Sequence, residues 1–149
     1  MALHYEDVTV GDTFDCGTVS VSADEIIDFA EQFDPQPFHM DPDAARDSVF
    51  GGLVASGLHT LCLSFRLFVT EFVNPDDGLA NLGGLGVDDL RWPNPVRPGD
   101  TLVVGTEVAA CRPSESRDDR GYVDFDLHTL VDGEQVMSLR SHNIVARRD

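Results

Sequence analysis

GLHTLCLSFRLFVTEFV, residues 57–73, decides the fold. Leu58, Leu61, Cys62, Leu63, Phe65, Leu67, Phe68, Val69 and Phe72 leave this stretch almost no polar face. A helix apolar on nearly every side belongs inside its own domain. At the helical rise it spans roughly 25 Å, too short a run of apolar residues for a membrane span, which needs about 18 or more. Gly57 opens it, and Asn74-Pro75-Asp76-Asp77-Gly78 stops it.

On the N-terminal side, Thr13 to Val21 reads as a strand. Ser22-Ala23-Asp24-Glu25 is a capping box, with Ser22 as N-cap and Glu25 reaching back. The helix it opens carries Ile26, Ala30 and Phe33 at helical spacing and ends before Pro35. Asp34 to Met40 is a loop stiffened by Pro35 and Pro37. Asp41 caps a short helix with Pro42 at its first position. Gly51 and Gly52 break the chain again.

On the C-terminal side everything reads as strand. Leu85 to Trp92 is followed by the turn-rich Pro93 to Asp100, then Thr101 to Cys111 and a polar loop from Arg112 to Arg120. Val123, Phe125, Leu127, Thr129 and Val131 alternate along a further strand, Asp132-Gly133 makes a hairpin turn, and Glu134 to Ala146 returns antiparallel. One early strand, one buried helix and four late strands are buried most economically by wrapping the sheet around the helix. The expectation is an α+β, single hot-dog domain over residues 1–149, an antiparallel β-sheet around a long central helix. A sheet covering only one side of such a helix leaves it incomplete, so a homodimer or higher homo-oligomer is expected.

Charge excludes whole classes of partner. The chain of 149 residues carries 27 acidic residues against 10 basic ones, a net charge of −17. Such a surface repels nucleic acid and anionic membrane. All ten basic residues are arginine. Two readings fit: an ordinary acidic cytoplasmic protein, or one from a salt-rich cytoplasm, where a screening length of a few Å removes the repulsion. The complete absence of lysine favours the second. The N-terminal Met1 to Asp7 has no basic region leading into an apolar stretch, so no signal peptide is expected. Cys16, Cys62 and Cys111, odd in number and widely spaced, read as buried free thiols of a reducing compartment. No Cys, His and Asp cluster has metal-ligand spacing.

Two places carry chemistry. Asp34 and His39 sit five residues apart on the proline-stiffened loop. A carboxylate beside an imidazole suits general acid–base work on a water. The same residues also fit a turn cap and a local hydrogen bond. Ser56-Gly57 stands at the start of the central helix, whose first turn has unpaired N–H groups and partial positive charge. Gly57 lets a carbonyl oxygen approach that backbone closely, a geometry suited to an oxyanion. An ordinary N-cap by Ser56 explains the same residues. His59 and Thr60, in the first turn, fit either the core or a pocket wall. His128 and His142, on strands, read as structural or surface residues.

The stretch FAEQFDPQPFHMDPDAARDSVFGGLVASGL resembles the MaoC-like or (R)-specific enoyl-CoA hydratase family. Asp34 and His39 fall on the Asp and His of its loop motif, and Gly57, eighteen residues after His39, falls on its oxyanion-hole glycine. Pro95-Val96-Arg97-Pro98-Gly99-Asp100 resembles the family's turn between strands. The chain has Gln36 where the family has Asn, Ser56 where many members have His, and Phe65 where some have an active-site Ser, with Ser64 beside it. The resemblance implies a hydro-lyase that reversibly hydrates a trans-2-enoyl-CoA to an (R)-3-hydroxyacyl-CoA. It implies catalytic Asp34 and His39, an oxyanion hole at Gly57, and coenzyme A as part of the substrate with no separate cofactor. Substrate contacts are expected from Ser56, from His59, and from Arg91 and Arg97, which flank the turn near the mouth of the site and suit the phosphates of coenzyme A. A hot-dog thioesterase shares the fold but lacks the Asp-x-x-Pro-x-His loop. A non-catalytic acyl-CoA-binding subunit is the other alternative.

Overall fold

The computed structural model describes residues 1–148; Asp149 lies outside the described residues. Five strands form one antiparallel sheet: β1 (Thr13–Ser20), β2 (Asn81–Arg91), β3 (Thr101–Pro113), β4 (Arg120–Val131) and β5 (Glu134–Ala146). Their order is β1-β3-β4-β5-β2, which leaves β1 and β2 as the edges. Asp132 and Gly133, both at positive φ (50° and 82°), make the β4–β5 hairpin turn, the two-residue geometry that matches the strands' twist.

Four helical pieces lie between β1 and β2. Helix α1 (Ala23–Phe33) begins with the expected capping box: Glu25 N–H donates to Ser22 Oγ at 3.2 Å and Ser22 N–H to Glu25 at 3.0 Å. Helices α2 (Pro37–Met40) and α3 (Pro42–Arg46) are single turns, each with proline in its first turn. Helix α4 (Gly57–Leu67) is the central helix, and Phe68–Val73 extends it with π-type winding. The architecture is the α+β hot-dog arrangement, a sheet wrapped around a central helix.

The helix is less enclosed than its composition predicts. Its inward face is Thr60, Ser64, Leu67, Phe68 and Phe72, whereas Leu58 and Cys62 are exposed. The sheet covers one side only, so the opposite flank stays open. Ser64 is accommodated by its 2.6 Å hydrogen bond to Thr129 on β4, since a buried hydroxyl needs a partner. The main core joins Phe68 and Phe72 to Phe125, Leu127, Val104 and Met137 of the sheet. A second cluster of Val21, Ile26, Ala45, Leu53, Val96, Leu102 and Val136 packs α1 and α3 over one end of the sheet.

Three expectations need correction. Phe33 is 64% exposed, because the last turn of α1 leaves the core; its ring lies 5.1 Å from that of Phe29 instead. Of the three cysteines, all free, only Cys16 is buried; Cys62 sits on the open flank of α4 and Cys111 is half-buried. Strand β2 starts at Asn81, four residues before the predicted Leu85. Its glycines accommodate register shifts at Asn81/Gly83 and Gly84/Gly86, and such bulges disrupt the alternation by which a strand is recognised.

Candidate active site

Helix α1 stops at Asp34 because Pro35 disfavours helical backbone there; the Asp34 N–H still donates to Ala30 O at 2.9 Å. Pro37 then starts α2, one turn that carries His39 back toward Asp34. His39 Nε2 lies 3.3 Å from Asp34 Oδ2. His39 is 6% exposed, and its Nδ1 is 2.7 Å from the Val54 carbonyl. A carbonyl can only accept, so Nδ1 carries a hydrogen and Nε2 is the nitrogen turned to Asp34.

Asp34 is held from three directions. Ser56 Oγ donates to Oδ2 at 2.7 Å, and Gln36 Nε2 donates to Oδ1 at 2.6 Å. Burial pushes the Asp34 carboxyl up, but the hydrogen bonds from Ser56 and Gln36, with the charge of His39, outweigh it and hold the group below the ordinary carboxylate value. Asp34 is therefore ionised at neutral pH. An ionised carboxylate offers about four acceptor positions. Ser56 and Gln36 take two of them, and His39 Nε2 stands at ion-pair distance, so the carboxylate keeps acceptor capacity for a water.

Ser56 is fully buried and works twice, since Oγ also accepts the Leu58 N–H at 3.2 Å and caps α4. Gly57, the next residue, lines the same cavity, which has a volume of about 410 Å³. Asp34, His39 and Ser56 form its polar side, and Phe38, Phe50, Val54, Val96 and Val136 its apolar walls. The polar groups of the loop and of the α4 N-terminus thus meet in one volume.

The remaining predicted contacts fall elsewhere. His59 is outside the cavity: it is buried against α1, stacked on Phe29 with ring centroids 4.6 Å apart. Burial lowers its pKa and leaves Nδ1 without a partner. Arg97 Nη2 donates to Phe50 O at 2.7 Å and ties the turn after β2 to the loop before α4. Arg91 is exposed at the end of β2, with Nη1 on the Leu90 carbonyl at 3.0 Å. Neither arginine lines the cavity. Ser64 and Phe65 lie outside it as well. No group of three or more His, Cys, Asp or Glu side chains is arranged to hold a metal ion among the described residues.

Sequence reasoning missed the Val54 carbonyl, the anchoring role of Gln36, and Trp92, whose ring lines the cavity beside Gly57. A single tryptophan next to a proline-rich turn was the one available signal for the last.

Fold and cavity together define a hot-dog domain with a carboxylate and an imidazole paired in a cavity at the N-terminus of its central helix. The MaoC like domain family matches residues 7–124, and the chain belongs to that family. Among curated proteins it is 35% identical to the uncharacterized protein YdeM of Bacillus subtilis over 74% of this chain and 77% of that one. It is 31% identical to the 3-hydroxybutyryl-CoA dehydratase of Methylorubrum extorquens, over 77% of this chain and 69% of the relative. Among solved structures, the MaoC-like dehydratase from Rhodospirillum rubrum superposes with a TM-score of 0.87 at 46% identity, covering 99% of both chains. The R-hydratase PhaJ1 of Pseudomonas aeruginosa superposes with a TM-score of 0.76 at 25% identity, covering 99% of this chain and 88% of that one.

Proposed function

We propose that this chain is a hydro-lyase that adds water across the double bond of a trans-2-enoyl-CoA to give an (R)-3-hydroxyacyl-CoA, and catalyses the reverse. The observation that carries the reading is the 3.3 Å approach of His39 Nε2 to Asp34 Oδ2, each fixed on its far side, in a cavity shared with Gly57. Supporting it are the 3-hydroxybutyryl-CoA dehydratase and the R-hydratase among the relatives.

The steps close chemically. A water donates to a free acceptor position on Asp34 and gives up its proton there as its oxygen bonds to C3. The π electrons move to C2 and onto the thioester oxygen, which the Gly57 N–H holds as charge builds. His39, protonated, then delivers its Nε2 proton to C2. Asp34 returns its new proton to His39 across 3.3 Å, and both groups are restored. Neither metal nor redox cofactor enters this scheme, and coenzyme A arrives as part of the substrate. The active form is a homodimer, because the α4 flank and the apolar edge of β2 are open in one chain.

Crotonyl-CoA with the pure protein tests the reading. Loss of the enoyl absorbance with formation of 3-hydroxybutyryl-CoA is expected. Release of free CoA instead would make the chain a thioesterase, and binding without reaction a non-catalytic subunit.

A further inference from the structure

Trp92 is the only tryptophan of the chain. It follows β2 directly and begins Trp92-Pro93-Asn94-Pro95-Val96, a continuous wall of the cavity. A Cβ on Gly57 would stand 2.3 Å from Trp92 Cε2, 2.5 Å from Cδ2 and 2.8 Å from Cζ2. The two nearest atoms are the ring-fusion carbons, so Gly57 meets the face of the indole and not its edge. Glycine at 57 therefore has a second purpose beside access to its N–H. Any other residue would overlap the ring.

The wall behind the ring is stiff. Pro93 and Pro95 restrict the backbone. Asn94 Nδ2 donates to Gln135 O at 2.8 Å, and Val96 O accepts from Ala55 N–H at 2.8 Å. The indole is nonetheless 44% exposed, at the rim of a cavity whose floor residues Val54, Val96 and Val136 are almost fully buried. Gly57 and Trp92 line the same cavity in contact with one another, so a carbonyl held at the Gly57 N–H borders the indole.

We propose that Trp92 is the substrate-binding wall that seats the acyl thioester against the Gly57 N–H. The proposal rests on the hydratase reading and adds the residue that positions the carbonyl. The indole borders the flat thioester beside Gly57, holds its oxygen toward the helix N-terminus and keeps water off that side.

Butyryl-CoA, which has no double bond to hydrate, tests binding apart from turnover. Its affinity is measured by calorimetry while the emission of the single tryptophan is recorded, with free CoA in parallel. Expected are an emission change with butyryl-CoA that free CoA does not reproduce, a roughly tenfold weaker Kd in Trp92→Ala, and recovery of most of that loss in Trp92→Phe. Both variants should melt close to the parent, since the ring is half exposed. Binding heat without an emission change, an equal change with free CoA, or unaltered affinity in Trp92→Ala would overturn the placement of Trp92 and leave the hydratase reading standing. No binding of butyryl-CoA to the parent, in a protein that also fails to hydrate crotonyl-CoA, would overturn both.

Discussion

Ser56 donates its hydroxyl proton to Asp34 Oδ2 at 2.7 Å while the same oxygen accepts the Leu58 N–H at 3.2 Å. One atom thus caps the central helix and anchors the Asp34 carboxylate, so the helix start and this carboxylate cannot shift independently. Ser56→Ala removes both bonds. The lost cap costs about 1 kcal/mol of stability. Without this donor the Asp34 pKa rises, so the acid limb of the pH–rate profile moves to higher pH, and kcat falls roughly ten- to a hundredfold. Melting curves and pH–rate profiles of crotonyl-CoA hydration measure the two effects separately. An acid limb that stays in place would show that Ser56 serves only the helix.

In the proposed scheme Asp34 and His39 share one proton circuit, so their losses should not add. General acid–base groups each contribute about 10²–10⁴-fold, and residues acting as a unit are strongly non-additive. Asp34→Asn and His39→Gln are each expected to lower kcat by that factor, with the double variant little worse than the poorer single one. Both changes nearly preserve size, so the proteins should fold. A folded Asp34→Asn protein that hydrates crotonyl-CoA near the parent rate would end the assignment of this loop as the reacting centre.

How far the sequence reaches depends on the range of each contact. Asp34 and His39 were legible because five residues and two prolines bring them together locally. The capping box of α1 and the Asp132-Gly133 turn were legible for the same reason. The hydrogen bond from His39 to Val54 O was not, because a backbone carbonyl fifteen residues away carries no side-chain signature. Trp92 reaches Gly57 only because β2 runs the length of the sheet edge before the chain turns back. His59 misled because helical position alone does not say which neighbour a first-turn side chain meets; here it is Phe29.

His142 lies between two carboxylates, with Nδ1 2.7 Å from Asp124 and Nε2 2.7 Å from Asp88. It ties the edge strand β2 to β4 across β5. The hydrogen bond to Asp124, then that to Asp88, raise its pKa above the ordinary 6.5. A raised folded-state value means the stabilisation is complete below that ordinary value and is lost as pH rises through the folded one. The melting temperature should therefore fall across that window by an increment that His142→Asn abolishes. The effect is modest, because Asp88 is largely exposed. Parallel pH–melting curves for parent and variant would contradict the role.

Salt should matter more than any single pair. Arg140 pairs with Asp126 and Arg120 with Asp119, each at 2.8 Å. Yet ten arginines cannot neutralise 27 acidic residues. The surplus repels itself at low ionic strength, and added salt screens it. The melting temperature is expected to rise steeply from low to molar KCl. A melting temperature unchanged over that range would remove the reading of this chain as adapted to a salt-rich cytoplasm.

The last expectation concerns assembly. Among the described residues, strand β2 is bonded to β5 on one side and to no strand on the other. Leu82, Leu85 and Val87 along it are 53%, 60% and 41% exposed. An edge strand this long and apolar invites further pairing unless something covers it. Nearby, α4 leaves Leu58 and Cys62 open on the side away from the sheet. A two-fold axis beside β2 would cover the edge with its own copy, in the self-complementary manner that closes an assembly at two chains. Light scattering in molar KCl, where charge repulsion is screened, should then give twice the chain mass. Leu85→Arg, which places like charges across the axis, should shift the equilibrium toward monomer at micromolar concentration. A parent protein that stays monomeric in high salt would contradict the two-fold arrangement.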